Sequence, residues 1–236
     1  SFKGYLNYEL PTVEKRGKYT LEAILLDEKG NQVHQNSFDF VVFPQTSIPQ
    51  SKIAFVKPDH QLSKQLVSLG FILSKKLKEA DVILINDFKT YQTNERLINR
   101  LVKEGRTGLF LNLEAGEYNI INTEVVVKDT RMGKYYFVSP ESNHPIAAKF
   151  QSKDFWLWYD ARSTSIAPIL GNTISAEDWT PILYSADTGW RNSGQRSLAA
   201  AEYKYGVGYF RLSTVNLAHK LINPSALLYL KELLSH

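Results

Sequence analysis

The chain has 236 residues, of which 43% are hydrophobic and 22% charged, proportions typical of an ordinary globular protein. Its 28 basic and 24 acidic residues give a net charge of +4, and the basic residues are scattered, which argues against a nucleic-acid-binding surface. The absence of cysteine excludes disulfides, thiolate metal sites and cysteine nucleophiles, and no apolar run is long enough to cross a bilayer.

The N-terminal part of the chain, residues 1–45, is predicted to be antiparallel β-structure. Alternating apolar and polar residues at 19–25 and 38–43 predict two strands, and the polar, glycine-containing segment 27–31 predicts a hairpin turn between them. A third alternating run lies at 5–10. Three strands bury too small a core for an independent sandwich, so this region is predicted to be the last part of a larger one.

The polar, proline-containing segment 46–51 is predicted to be a linker to a second domain, residues 52–236. Helices are predicted to begin at Asp59 and at Thr93 or Asn94, and to end near Gly70 and Gly105. The predicted strands of this part are 53–56, 71–73, 80–86 and 108–111. This alternation predicts an α/β fold with a doubly wound, mainly parallel sheet of flavodoxin-like type.

The pattern is less regular after Gly116. The predicted strands there are 123–127 and 135–138, interpreted as an antiparallel pair, then 166–170, 181–184, 202–205 and 208–213. The last two are predicted to form a hairpin around Gly206. The final helix is predicted to start at Pro224, because proline suits the first turn of a helix.

The end of the 108–111 strand is where a ligand or a reaction is expected, because doubly wound sheets bind ligands at the carboxyl ends of their strands. There the chain continues as Asn112-Leu113-Glu114-Ala115-Gly116. Glu114 with Glu117 is an alternative carboxylate pair for glycoside hydrolysis, although such pairs usually come from different strands. We therefore interpret Glu114 as a solvated or hydrogen-bonded turn residue.

The tryptophans are candidate ligand-binding residues. Trp156 and Trp158 alternate on a predicted strand, and Trp179 and Trp190 flank the segment 187–189, which is predicted to be an exposed loop. Aromatic faces suit pyranose rings, so a carbohydrate-stacking platform is one interpretation. Packing against the sheet edge or a neighbouring domain is the favoured one, because aromatic side chains dominate core and interface burial.

No catalytic residue, metal site or cofactor is predicted. The five histidines lack the spacing of metal ligands, and neither the phosphate-loop nor the dinucleotide-binding glycine motif is present. His144 is interpreted as a structural or surface histidine, with a pairing to Glu141 as the catalytic alternative.

Several segments resemble a known family. The segment GKYTLEAILLDEKGNQVHQNSFDFVVFP is similar to the closing strands of an immunoglobulin-like domain from a family 2, β-galactosidase-like glycoside hydrolase. The segments SNHPIAAKF, DFWLWYDARST and EYKYGVGYFRLSTVNL, followed by NPSALLYLKELL, resemble the C-terminal α/β domain attached to some of those enzymes. That domain is related to class I glutamine amidotransferases and to flavodoxin-like folds.

The amidotransferase pattern places its nucleophile in a G-x-C-x-G elbow and has a later His-x-Glu. In this chain Asn112, Glu114 and Gly116 correspond to a degenerate elbow with Glu114 at the cysteine position, and His-x-Glu is absent. A carboxylate cannot replace a thiolate in forming a glutamyl thioester, so the resemblance implies the fold without the activity.

The resemblance implies a non-catalytic accessory region of a multi-domain glycoside hydrolase, acting in inter-domain packing, oligomerisation or shaping of the substrate cleft. Its partners would be the other domains of that enzyme, a second copy of the chain or carbohydrate, and not nucleic acid or membrane. A carbohydrate-binding module and an enzyme with a site at Glu114 are the alternatives. The chain opens SFKGYL without Met, so we interpret it as an excised segment and expect a periplasmic or extracellular bacterial location.

Overall fold

The computed structural model describes residues 15–44, 47–129, 138–186 and 196–235. The chain divides into two compact units, residues 1–47 and 48–236. The predicted strand 5–10, most of the predicted strand 135–138, the loop 187–189 and Trp190 lie outside the described residues.

The described part of the first unit is a two-stranded antiparallel hairpin, which confirms the alternating pattern. β1 (Gly17–Leu26) pairs with β2 (Gln32–Val42). In the turn, the Asp27 carboxylate accepts hydrogen bonds from the backbone N–H groups of Lys29 at 2.9 Å and Asn31 at 2.8 Å. This local bonding by aspartate is a common way to fix a tight turn.

The second unit has a mixed α/β fold. Its helices are α1 (His60–Ser68), α2 (Phe88–Lys103) and α3 (Pro224–Leu234). The strands of its sheet are β3 (Lys52–Phe55), β4 (Ile72–Leu73), β5 (Val82–Ile85), β6 (Thr107–Leu111), β7 (Gly116–Ile120), β8 (Thr123–Asp129), β11 (Asn172–Ser175), β12 (Thr180–Ala186), β13 (Arg196–Tyr205) and β14 (Gly208–Ser213). A separate hairpin consists of β9 (Trp158–Asp160) and β10 (Ser165–Ala167).

The described strands form one ten-stranded sheet with the order β4-β3-β5-β6-β14-β13-β11-β8-β7, and β12 pairs with β13. The pairings from β4 through β14 are parallel, and the pairings beyond β14 are antiparallel. The predicted α/β class, the hairpin of β13 and β14 and the start of the last helix at Pro224 are confirmed. The antiparallel share is larger than predicted, because β7 and β11 were not predicted as strands.

The partner of β8 also differs from the prediction. β8 pairs with β7 on one side and with β11 on the other. The turn between β7 and β8 consists of Ile121 and Asn122, whose φ angles are 49° and 61°. A turn with positive φ at both positions usually carries asparagine or glycine. Because isoleucine occupies the first position here, the sequence did not indicate this hairpin.

Apolar side chains of the central strands pack into two cores. Val82 and Leu84 of β5 belong to the core that contains residues of α1 and α3, whereas Ile83 and Ile85 belong to the core that contains residues of α2. Helices therefore cover both faces of the parallel part. This explains why its strands read as continuous apolar runs.

Helix α2 begins earlier than predicted, at Phe88 instead of Thr93 or Asn94. Its cap is Asp87, whose carboxylate accepts a hydrogen bond from the backbone N–H of Thr90 at 2.7 Å. Thr93 and Asn94 lie inside the helix and donate to carbonyl groups four residues earlier, an alternative bonding mode of these side chains. None of the helices in the described ranges is long and apolar enough to span a membrane.

Candidate functional site

A cavity of about 230 Å³ lies at the carboxyl ends of the parallel strands. Its lining comes from the start of α1, from the end of β6, from the residues after β5 and β6, from the segment after β14 and from α3. The lining residues are Asp59, Gln61, Leu62, Gln65, Asn86, Leu111, Asn112, Leu217, Ala218 and Leu230. After β3 the chain adds β4 on one side and β5 on the other, so the cavity lies at a topological switch point, where open α/β sheets bind their ligands.

The first turn of α1 forms one wall of the cavity. Asp59 caps this helix as predicted, and its Oδ1 accepts a hydrogen bond from the backbone N–H of Leu62 at 2.9 Å. Gly70 then ends the helix with a φ of 92°. The capping bond fixes the Asp59 carboxylate at the cavity edge and uses one of its two oxygens.

Asn86 and Asn112 stand directly after β5 and β6. The Asn86 Oδ1 accepts a hydrogen bond from the backbone N–H of Lys57 at 3.4 Å, which leaves its amide N–H groups available to a ligand. Asn112 has a φ of 55°, in the left-handed region, and its backbone N–H donates to the carbonyl of Ser213 at 2.9 Å. The end of β14 thus anchors the backbone of Asn112 at the edge of the sheet.

The segment after β14 contacts α1 at the cavity. The Gln61 Nε2 lies 2.6 Å from the His219 Nε2, and His219 has a φ of 59°. The next residue, Lys220, is buried, and its Nζ lies 3.3 Å from both the Asp160 carboxylate and the carbonyl of Ala218. These bonds hold the segment that carries Leu217 and Ala218 against the cavity.

The chemistry of the lining is that of a binding site. Its polar side chains are the carboxamides of Gln61, Gln65, Asn86 and Asn112, together with the Asp59 carboxylate. Carboxamides donate and accept hydrogen bonds but do not act as nucleophiles or transfer protons near neutral pH. The lining can therefore hold and orient a ligand, and it lacks a nucleophile with an adjacent base.

The structure places the residues of the predicted elbow in different surroundings. Asn112 follows β6 directly, has a left-handed backbone and lines the cavity, whereas Glu114 is not among the lining residues. Both residues are exposed. The carbonyl of Glu114 accepts a hydrogen bond from the Tyr118 hydroxyl at 2.8 Å. Gly116 is the first residue of β7 and is not part of the turn that ends β6.

The described tryptophans are not brought together. Trp158 is 1% exposed, and its indole N–H donates to the Asp154 carbonyl and the Ser225 hydroxyl. Trp179 is 3% exposed and donates to the Thr123 hydroxyl at 2.9 Å. Rings buried to this degree have no face for a sugar.

Trp156 differs from these two, since its side chain is 50% exposed. It follows the short 3₁₀ helix Ser152–Phe155 and precedes β9, so it does not share a strand face with Trp158 as the sequence predicted. Trp190 lies outside the described residues.

His144 belongs to a largely buried hydrogen-bonded cluster with partners that the sequence did not indicate. Its Nε2 lies 3.1 Å from the Glu202 carboxylate, and its Nδ1 accepts a hydrogen bond from the backbone N–H of Ile146 at 3.2 Å. This arrangement places a proton on Nε2. The partner is therefore Glu202 on β13 and not Glu141, which is exposed.

Arg211 completes this cluster. Its Nε donates to the second oxygen of Glu202 at 2.7 Å, and its Nη1 donates to the carbonyl groups of Leu233 and Ser235, both at 2.7 Å. The cluster thus ties β13 and β14 to the C-terminal end of α3, where a cation is favoured. Its bonds are structural, and none of its members lines the cavity.

A sequence signal for the cavity existed. Asn86 and Asn112 each follow a wholly buried apolar strand, and a polar side chain at that point of a parallel sheet lies at its ligand-binding edge. Gln61, Gln65 and the segment after β14 carry no such signal, because only the packing of α1 and α3 brings them to the same cavity. Within the described ranges, no group of three or more histidine, aspartate or glutamate side chains could hold a metal ion.

No protein family and no curated protein matches the sequence. Among solved structures, the chain is distantly similar to a β-galactosidase from Bacillus circulans sp. alkalophilus, at 13% identity and a TM-score of 0.42, over 69% of this chain and 24% of that one. It is also similar to a β-galactosidase from Rahnella sp. R3, at 11% identity and a TM-score of 0.43, over 78% of this chain and 31% of that one. A cytoplasmic protein from Salmonella typhimurium matches at 11% identity and a TM-score of 0.43, over 92% of this chain and 94% of its own. The chain thus spans less than a third of the length of each of these two β-galactosidases.

Proposed function

We propose that the chain is a non-catalytic accessory region of a multi-domain glycoside hydrolase, with an amidotransferase-like, flavodoxin-like second domain. The family resemblance of the segments 17–44 and 142–234 supports this proposal. The five parallel strands lie in the spatial order second-first-third-fourth-fifth along the chain, which is the order of flavodoxin-like sheets.

The observation that carries the non-catalytic part is the carboxamide of Asn112 at the tip of β6. Relatives of the amidotransferase type need a nucleophile at such a turn and a base beside it. Here Asn112 has the turned backbone, and Asp59, the titratable residue of the lining, is engaged in capping α1.

The hairpin of the first unit supports a packing role. Tyr19 and Leu21 of β1 lie opposite Phe40 and Phe38 of β2, and these side chains form an apolar face that we call the hairpin face. Leu21 is 52% exposed and Phe38 66% exposed. A two-stranded sheet is marginal by itself and a contiguous exposed apolar face typically marks an interaction site, so we infer that another domain or a second copy covers it.

Turnover by the isolated chain tests the non-catalytic proposal. We expect no hydrolysis of L-glutamine or of p-nitrophenyl β-galactoside above the buffer rate, because the lining has no hydroxyl or thiol nucleophile and no second carboxylate to pair with Asp59. Turnover that disappears in Asn112→Gly or in Glu114→Gln would overturn the proposal and identify the residue responsible.

Substitution on the hairpin face tests the packing role. The double variant Leu21→Thr, Phe38→Thr removes apolar area and keeps residues that favour strands. We expect it to lower self-association in sedimentation velocity and to lower binding of a hydrophobic dye. The matched control is Glu22→Thr, Ser37→Thr, the adjacent cross-strand pair on the opposite face. Equal effects of the two double variants would contradict a specific apolar interface.

A carbohydrate-binding module is the second candidate, and the exposure of Trp156 favours it. The described partner rings Trp158 and Trp179 are buried, so stacking on a sugar would depend on Trp156. Oligosaccharide titration followed by tryptophan fluorescence, with Trp156→Ala as the variant, distinguishes this candidate from the packing role.

A further inference from the structure

The cavity at the sheet edge combines an apolar floor with a polar rim. Leu62, Leu111, Leu217 and Leu230 supply the floor, and the carboxamides together with Asp59 supply the rim. A volume of about 230 Å³ exceeds the roughly 150 Å³ of an apolar cavity that binds one benzene molecule. The cavity therefore has room for a single small ring or a short chain of atoms.

The charge of the lining selects against anions. No lysine or arginine lines the cavity, so an anion would lose its hydration without gaining a cationic partner. The carboxylate of Asp59 adds repulsion to any anion. One of its oxygens already accepts the backbone N–H of Leu62, which leaves a single carboxylate oxygen to accept from a ligand.

The hydrogen-bonding capacity of the rim points to hydroxyl groups. Each carboxamide offers both an acceptor oxygen and donor N–H groups, and a hydroxyl group both donates and accepts. Gln65, Asn86 and Asn112 come from three different elements, so their amides approach one cavity from different directions. Several hydroxyls on one small molecule match this arrangement better than a single polar group does.

The backbone of Asn112 is fixed by the end of β14. Asparagine tolerates the left-handed region better than most residues, and the bond from the Asn112 N–H to the Ser213 carbonyl anchors the backbone there. Asn112 thus starts from a fixed position and lines the same cavity as Asn86.

We propose that this cavity binds a small neutral polyhydroxy compound, a monosaccharide or a polyol, with Asn112 as a binding residue. The inference concerns the cavity alone and does not depend on which larger protein carries the chain. It also differs from the surface site around Trp156, because that ring is not part of the lining.

Ligand-observed NMR on the full chain tests this proposal. The probes are D-glucose, D-galactose and myo-inositol as neutral compounds and D-glucuronate as an anion. We expect at least one neutral probe to bind at millimolar concentration and to bind more tightly than the anion. Failure of every neutral probe, or preference for D-glucuronate, would overturn the proposal.

The variant Asn112→Gly tests the role of the carboxamide, because glycine tolerates the observed φ of 55° and removes only the side chain. Losing one neutral hydrogen bond should weaken binding roughly two- to tenfold. The matched control is Asn122→Gly, since Asn122 has a φ of 61° but lies in the turn between β7 and β8 and does not line the cavity. Unchanged affinity in Asn112→Gly, or an equal loss in the control, would also overturn it.

Discussion

The backbone of Asn112 lies in the left-handed region, which glycine and asparagine tolerate better than other residues. We therefore expect Asn112→Ala to lower the free energy of unfolding by about 1 kcal/mol, and Asn112→Gly to change it by less than about 0.5 kcal/mol. Urea unfolding of the three proteins measures both values. Equal destabilisation by alanine and glycine would mean that the side chain, and not the backbone angle, determines stability at this position.

Glu202 lies between His144 and Arg211. Burial raises the pKa of its carboxyl, but the hydrogen bonds from His144 and Arg211 outweigh this effect and hold the pKa below the ordinary value of 4.5. The stabilisation is therefore complete above pH 4.5 and is lost as the pH falls through the lower pKa of the folded state.

The variant Glu202→Gln tests this cluster. It leaves the Arg211 charge buried without its counterion, so we expect a loss of about 3 kcal/mol at neutral pH and a smaller loss in acid, where the wild-type carboxyl is also neutral. Urea unfolding of the wild-type and variant proteins, at neutral pH and at pH values below 4.5, provides the comparison. Glu114→Gln serves as the control, because Glu114 is exposed and its replacement should change stability by less than about 0.5 kcal/mol. A loss in Glu202→Gln that does not shrink in acid would contradict the ion-pair explanation.

Among the elements, α2 shows how far local sequence determines a helix boundary. Its end near Gly105 was predictable, because glycine commonly follows the last turn of a helix. The φ of 120° at Gly105 agrees with that role. Its start was not, because Asp87, Thr93 and Asn94 are all good capping residues. The choice of Asp87 follows from Tyr91, which is fully buried and extends the apolar face of the helix by a turn before the two competing caps.

The cap of α2 has a pH dependence of its own. Hydrogen bonds from the Thr90 side chain and backbone, followed by Lys57, lower the pKa of Asp87 from 3.8 to about 2. Because this pKa is lowered in the folded state, the contribution of the ionised cap is complete above pH 3.8 and is lost toward pH 2. We expect Asp87→Ala to lower the unfolding midpoint at neutral pH and to reduce the acid dependence between these values.

Asp87→Asn separates the cap from its charge. It keeps an acceptor oxygen for the Thr90 N–H but cannot ionise, so it should destabilise less than alanine while also reducing the acid dependence. An unchanged acid dependence in both variants would show that other carboxylates account for it.

At the scale of the whole molecule, the parallel half of the sheet could be predicted, whereas β7 and β11 of the antiparallel half could not. β3, β5 and β6 are buried on both faces and read as apolar runs. β7 (GEYNI) carries polar residues and ends in an unusual turn at Ile121, so its strand character depends on pairing with β8. The candidate site follows the same division: its asparagines follow predictable strands, whereas its glutamines reach the cavity through the packing of α1.

The two cores of the second unit are built from residues 48–234. A segment starting at Ile48 therefore retains the whole sheet and the helices on both of its faces, and we expect it to fold cooperatively without residues 1–47. Its urea midpoint should match the main transition of the full chain, because the buried side chains that dominate stability are all present. Dye binding and self-association should fall at the same time, since the hairpin face is removed. A segment that fails to fold would show that the first unit stabilises the second. A folded segment that still self-associates would show that the interface lies on the α/β unit and not on the hairpin face.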